Sequence, residues 1–177
     1  MSGDVSDRVS SLRAIAHPVR LQILSLLTGT AMSAAEVARE MDISHANASY
    51  HLRVLAKAGQ LVPAGEQKVR GGVAKRYRHP WETGPSSGQQ TPAPEDFIRH
   101  VRAVADELTR RSTQRRPGGR NILTDAEMWV SPEAWAQVID LVAQASRLVH
   151  AEARPPRTQG TVHVNLTAVA FEMGEEE

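Results

Sequence analysis

Between residues 33 and 58 two short helical patterns meet across a turn, and this pairing constrains the fold of the chain more than any other feature. Ser33-Ala34-Ala35-Glu36 reads as a capping box, in which the Ser33 hydroxyl accepts from the Glu36 amide while the Glu36 carboxylate reaches back. A helix therefore begins at about Ser33, with Val37, Ala38 and Met41 on its apolar face. Asp42-Ile43 form the turn, and Ser44 caps a second helix that runs to about Ala58 before Gly59 stops it. The spacing buries Ala48, Leu52 and Leu55 and turns His45, Asn47, Ser49, Tyr50 and Arg53 outward.

The turn is short enough to hold the two helices at a fixed angle, so the pair reads as a helix-turn-helix. The outward residues of its second helix are polar and planar, the kinds that read base edges. Upstream, a helix over about residues 7–16 carries Val9, Leu12, Ile15 and Ala16 at helical spacing, and His17-Pro18 ends it. Pro18 then opens another helix, where its missing N–H is tolerated, and Val19, Ile23, Leu24 and Leu27 point inward until Gly29. Downstream, Leu61-Val62-Pro63 and Val73-Ala74-Lys75-Arg76-Tyr77-Arg78 flank a polar stretch ending in Gly71-Gly72. Two extended runs around a Gly-Gly turn predict a β-hairpin, a basic wing over residues 61–79.

From Glu82 to Pro94 the chain is rich in Pro, Ser, Gly, Gln and Thr without periodicity, the pattern of a linker or mobile loop. A helix from about Glu95 to Arg115 follows, with Phe97, Val101, Val104 and Leu108 as one apolar stripe that needs a partner. Beyond Pro117-Gly118-Gly119 the pattern predicts a strand near residues 121–130, a helix from Pro132 to about Glu152 and a strand over residues 161–173. Ser131 caps that helix, and Ala134, Val138, Leu141, Ala145 and Leu148 form its expected buried side. The last strand changes phase between Leu166 and Val169, which predicts a bulge or burial on both faces.

The expected fold is therefore α+β and mainly α. It comprises a winged helix-turn-helix domain over residues 1–81, a linker over 82–94, and residues 95–177 as a dimerisation and possible effector domain. This last part contains a helical dimerisation segment and a small strand-helix-strand unit.

The net charge of +1 conceals an asymmetry. Residues 1–81 hold 11 Lys/Arg against 6 Asp/Glu, whereas residues 82–177 hold 10 against 14, so the front suits a polyanion and the back does not. With no cysteine in the chain, disulfides and thiolate metal sites are excluded. No apolar run approaches the roughly 18 to 20 residues that span a bilayer, and the start shows no secretory pattern, so a cytoplasmic location is expected.

The run Ala14-Ile15-Ala16-His17-Pro18-Val19-Arg20-Leu21-Gln22-Ile23-Leu24, followed by Ser33 to Met41 and by Ser44 through Gly59-Gln60-Leu61-Val62, resembles the winged helix-turn-helix repressors of the ArsR/SmtB family. The resemblance covers about the first 80 residues. It implies a homodimer that binds an imperfectly palindromic, double-stranded DNA operator and blocks transcription until a signal releases it. Carried over residue by residue, His45, Ala46, Asn47, Ser49 and Tyr50 fall where that family contacts bases and nearby phosphates, and Ser44 at the cap joins the set.

The chemistry of the residues agrees. Asn pairs with an adenine edge, Ala with a thymine methyl, Ser with an edge or a phosphate, and Arg53 with guanine or a phosphate. His51 lies at a position that family often uses for packing or orientation. In the wing, Lys68, Arg70, Lys75, Arg76 and Arg78 would lie along phosphates and add salt dependence with little sequence preference.

The chain departs from the family's metal sensors, because Ala38, Arg39 and Glu40 stand where a thiolate pair is usual. His150, Glu152 and His163 in the last third match no metal-ligand spacing, so neither metal nor cofactor is expected. The last third, with Met128, Trp129, Trp135, Phe171 and Met173, either enlarges a dimer interface or encloses a small apolar effector ligand. An enzyme is not expected, since the chain has no phosphate-cradling glycine loop with its lysine, no nucleophile elbow and no metal-hydrolase motif. The alternative function for the same motif is a winged-helix module that docks a protein partner without reading DNA sequence.

Overall fold

Apolar residues from three short helices converge on one small core in the computed structural model, which describes residues 12–69, 72–83 and 93–174. Helix α1 (Pro18–Thr28) contributes Ile23, Leu24 and Leu27, α2 (Ala34–Met41) contributes Val37, and α3 (His45–Lys57) contributes Ala48, Leu52 and Leu55; Leu61 closes the cluster. Burying each large aliphatic side chain is worth about 1.5 to 3 kcal/mol, enough together to hold three helices that would be too short to persist alone.

The helix ends are set by the residues that the sequence pattern singles out. His17 caps α1 by accepting the Val19 amide on Nδ1 at 3.2 Å, and Pro18 follows at the first turn. Residues 12–15 are helical, as expected of the end of the preceding helix, whose residues 7–11 lie outside those described. Ser33 and Glu36 close the capping box, with the Ser33 amide donating to Glu36 Oε2 at 2.7 Å and Ser33 Oγ accepting the Glu36 amide at 3.4 Å. Asp42 turns the chain in the left-handed region at φ 53°, where a short Asp side chain is tolerated. Ser44 Oγ accepts the Asn47 amide at 3.2 Å, and Gly59 at φ 70° ends α3 while the Gln60 amide bonds back to the Leu55 carbonyl.

The wing is a three-stranded antiparallel sheet in the order β1-β3-β2, built from β1 (Met32–Ser33), β2 (Val62–Val69) and β3 (Gly72–Arg78). The strands of the hairpin are longer than its apolar residues suggest, because the polar run 66–69 pairs in register from Glu66↔Lys75 to Val69↔Gly72. The register shifts between Pro63 and Glu66, beside Gly65 at φ 98°. Strand β1 is an addition to the expected hairpin, pairing Met32 with Tyr77 and Ser33 with Arg76.

Helix α4 (Pro94–Ser112) packs against α1, but not by its apolar stripe. Asp96, Ala103 and Glu107 are the buried residues, while Phe97, Val101 and Val104 are half-buried and Leu108 is exposed. The reason lies in what α1 and the residues before it present. Arg13 Nε donates to Asp96 Oδ1 at 3.0 Å and Gln22 Nε2 to Glu107 Oε2 at 2.8 Å, so a polar seam selects the polar face of α4. Arg110 and Arg111 also grip Glu107, and burial of its carboxyl is outweighed by those hydrogen bonds, which hold its pKa below the usual carboxylate value.

The back of the chain corrects the expected strand-helix-strand unit. Its helix, α5 (Pro132–Ala151), forms with Ser131 Oγ accepting the Ala134 amide at 3.2 Å, yet none of its residues is buried. Neither residues 121–130 nor residues 161–173 form a strand. A strand needs a neighbour for its backbone N–H and C=O groups, and among the described residues no backbone–backbone hydrogen bond is made within 121–130 or 162–173.

Candidate nucleic-acid interface

The outer face of α3 is assembled from its inner one. Leu52 and Leu55 are locked in the core, Ser44 fixes the first turn, and the residues between them are then obliged to face solvent. Ser44, His45, Ala46, Asn47, Tyr50 and Arg53 are exposed and Ser49 is half-buried, so the structure places these seven on or beside one accessible face. Arg53 is steadied by Nε donating to the Ser49 carbonyl at 3.3 Å, one turn earlier.

Beneath that face lies a group that motif reading left largely unassigned. His51 is only 6 % exposed, with its ring 5.2 Å from that of Tyr50 and 5.1 Å from that of His17. Burial lowers the pKa of both histidines, and the nearby Arg20 cation lowers each further. His51 and His17 therefore favour the neutral form, and the His51 ring meets Tyr50 on one side and His17 on the other. His17 thus has two jobs, capping α1 and flanking α3; Pro18 signals where α1 starts, but the sequence pattern signals neither role of His17.

The wing cations fall into distinct environments. Lys68 and Lys75 are exposed on paired strands. Arg78 is exposed but bonded to Glu82 at 3.1 Å. Arg76 is half-buried and turned toward α2: its Nη2 donates to the Ala31 carbonyl and, at 3.2 Å, to Glu36 Oε1. Arg70 lies outside the described residues.

Glu36 thereby joins the cap of α2 to the wing. Burial pushes its carboxyl up, but the bonds from Ser33 and the charges of Arg76 and Arg39 outweigh this and hold it below the usual carboxylate value. At the foot of the wing, the His79 amide donates to the Leu27 carbonyl at 3.0 Å and its Nδ1 lies 3.1 Å from the Gln60 carbonyl. The arrangement offers a convex helix edge with a basic hairpin beside it. That shape is suited to a groove lined with hydrogen-bonding edges and flanked by anions.

Elsewhere the candidate residues stay apart. His150 stacks near Trp81 at 5.7 Å and Glu152 pairs with Arg154 at 3.1 Å. Among the described residues no three His, Cys, Asp or Glu side chains converge as metal ligands, and no helix is long and apolar enough to cross a membrane. Trp129 is 96 % exposed and Trp135 half-buried, so the two do not enclose a ligand. An open apolar trough of about 490 Å³ lies instead between α4 and the C-terminal segment, lined by Phe97, Ile98, Val101, Arg102 and Phe171.

Residues 15–60, which run from the end of the first helical turn to just past α3, match a family model described as a helix-turn-helix domain. No curated protein matches the chain. The match covers about a quarter of the chain and stops short of the β2–β3 hairpin, so the front of this protein is a helix-turn-helix domain and the remainder carries no assignment.

Proposed function

We propose that this protein is a sequence-specific DNA-binding transcription regulator of the ArsR/SmtB type, a cytoplasmic homodimeric repressor acting at an inverted-repeat operator. The observation that carries the reading is the outer face of α3, where His45, Asn47, Tyr50 and Arg53 stand exposed on a helix anchored by Leu52 and Leu55. Asn47 and Arg53 supply edge-reading groups, Ala46 a methyl contact, and Ser44 and Ser49 hydroxyls for phosphate or base.

Lys68, Lys75 and Arg78, with Arg70, lie along the phosphates, while Arg76 acts by holding the wing against α2. In a dimer, two such helices enter successive major grooves about 34 Å apart, so anything that alters their spacing controls binding. Residues 1–81 form the reading domain, residues 82–94 connect it, and residues 95–177 dimerise.

Selection of bound sequences from random duplex DNA by the purified protein tests this reading. An enriched inverted repeat is expected, and Tyr50→Ala or Arg53→Ala should each flatten the preference by about 1 to 3 kcal/mol at the positions concerned. A folded protein that enriches no motif would overturn the reading and leave a module that docks a protein partner.

A further inference from the structure

The back of the chain looks like one half of an assembly. Its apolar side chains lie open rather than packed: Leu123 is 96 % exposed and Leu141 63 % exposed, and no residue from 113 to 174 is buried. Residues 161–166 alternate as Thr-Val-His-Val-Asn-Leu, and residues 122–130 carry Ile122, Leu123, Met128, Trp129 and Val130. These are strand patterns, yet among the described residues their backbone groups have no ladder partners.

We infer that residues 121–130 and 161–173 are β-strands whose ladder partners are supplied by a second copy of this chain, so that the back closes as an intermolecular sheet in the dimer. This rests on the homodimer proposed above and deepens it by naming the surface.

Three observations select a second copy as the occupant. The first is area. A compact chain of this mass exposes about 8,500 Å², whereas this one exposes 13689 Å². Even with the undescribed residues counted at the full exposure of an extended chain, about half of the excess remains, and obligate dimers bury about 2,000 to 5,000 Å². The second is continuity. The segment 161–173 is held beside the unburied stripe of α4 by Arg111 Nη1 donating to Asn165 Oδ1 at 3.0 Å and by the Phe97 and Phe171 rings meeting edge-on at 5.5 Å. The stripe, the trough and the unpaired segment therefore form one apolar surface.

The third observation is self-complementarity. Each chain carries both two strand-patterned segments and an amphipathic helix with no buried residue, and a two-fold operation sets each against the same feature of its partner.

The test is amide hydrogen exchange on the full chain, with the mass of the species measured at each concentration from dimer to monomer. In the dimer, alternate amides of 121–130 and 161–173 should exchange at least about a hundredfold more slowly than in the monomer. Val164→Pro removes a ladder donor from the middle of one strand and should weaken the dimer about tenfold or more. Protection of residues 45–57 in that variant certifies that the reading domain is still folded.

A dimer with fast exchange in both segments, or a Val164→Pro dimer as tight as the parent, overturns this inference and leaves the homodimer standing. Protection that persists in the monomer also overturns it, since the strands then pair within one chain. A monomer at every concentration overturns both readings. Protection that appears only with an added partner protein does the same for the second-copy assignment.

Discussion

Residues 12–83 and residues 113–174 obey the same chemistry with opposite results. In the front, Leu27, Leu52 and Leu55 are fully buried, helix ends are capped by side chains, and the wing strands pair in register. In the back, an equally well-capped helix, α5, buries nothing, and two strand-patterned segments find no ladder among the described residues. Local signals such as Ser131-Pro132 are sufficient to start a helix, but they do not supply a surface for it to bury against. The front satisfies its own requirements within one chain, and the back does not.

The largest effect that separates the two regions is expected from truncating matched leucines. Leu52→Ala empties a site at the centre of the core and should cost about 2 to 5 kcal/mol in urea unfolding, independent of protein concentration. Leu141→Ala removes a side chain that is mostly exposed in the single chain and should cost less than about 0.5 kcal/mol in dilute solution. Its cost should grow as concentration rises, by the mass action that couples folding to assembly. Equal, concentration-independent losses at both sites would break the comparison.

A smaller effect tests where the regions meet. Gly29 follows α1 at φ −82°, a conformation open to any residue, yet a β-carbon there would lie 2.5 Å from the Arg154 carbonyl oxygen. On its own, Gly29→Ala should add up to about 1 kcal/mol by restricting the unfolded chain. Against a docked backbone it should instead cost about 1 to 3 kcal/mol and speed amide exchange over residues 152–157. A stabilised variant with unchanged exchange would show that the end of α5 does not rest on the front.

What the sequence made legible follows the same division. Contacts within four residues were readable: the Ser33–Glu36 box, the Ser44 and Ser131 caps, Pro18 at a helix start and Gly59 at a helix end. So was the exposed face of α3, because inward and outward positions follow from helical periodicity. Contacts between distant residues were not. Strand β1 is two residues long, and its pairing with β3 puts Arg76 beside Ser33 and hence within reach of Glu36, a consequence of register rather than of pattern.

The face by which α4 packs was not legible for a related reason. Its apolar stripe is the stronger signal, but Arg13 and Gln22 on the facing surface pair with Asp96 and Glu107 and draw in the polar face. The patterns at 121–130 and 161–173 are those of strands, but a strand also needs a neighbour, which a local pattern does not supply.

The smallest effect expected is a pH dependence centred beneath α3. Burial holds His17, His51, His79 and His100 below the ordinary imidazole value, so each is more readily protonated in the unfolded chain than in the folded one. Well above about pH 6.5 both states are neutral at these sites and the histidines add no pH dependence. As pH falls through 6.5 the unfolded state takes up protons that the folded state refuses, and stability declines until the lowered folded values are reached. His51→Gln removes one of these titrations, at the site where His17 and Arg20 add positive charge to the effect of burial. Stability measured from pH 7.5 down to pH 5 should therefore fall less steeply in the variant than in the parent. An unchanged slope would mean that His51 is protonated as easily in the fold as outside it, and that its ring is wetter than its burial indicates.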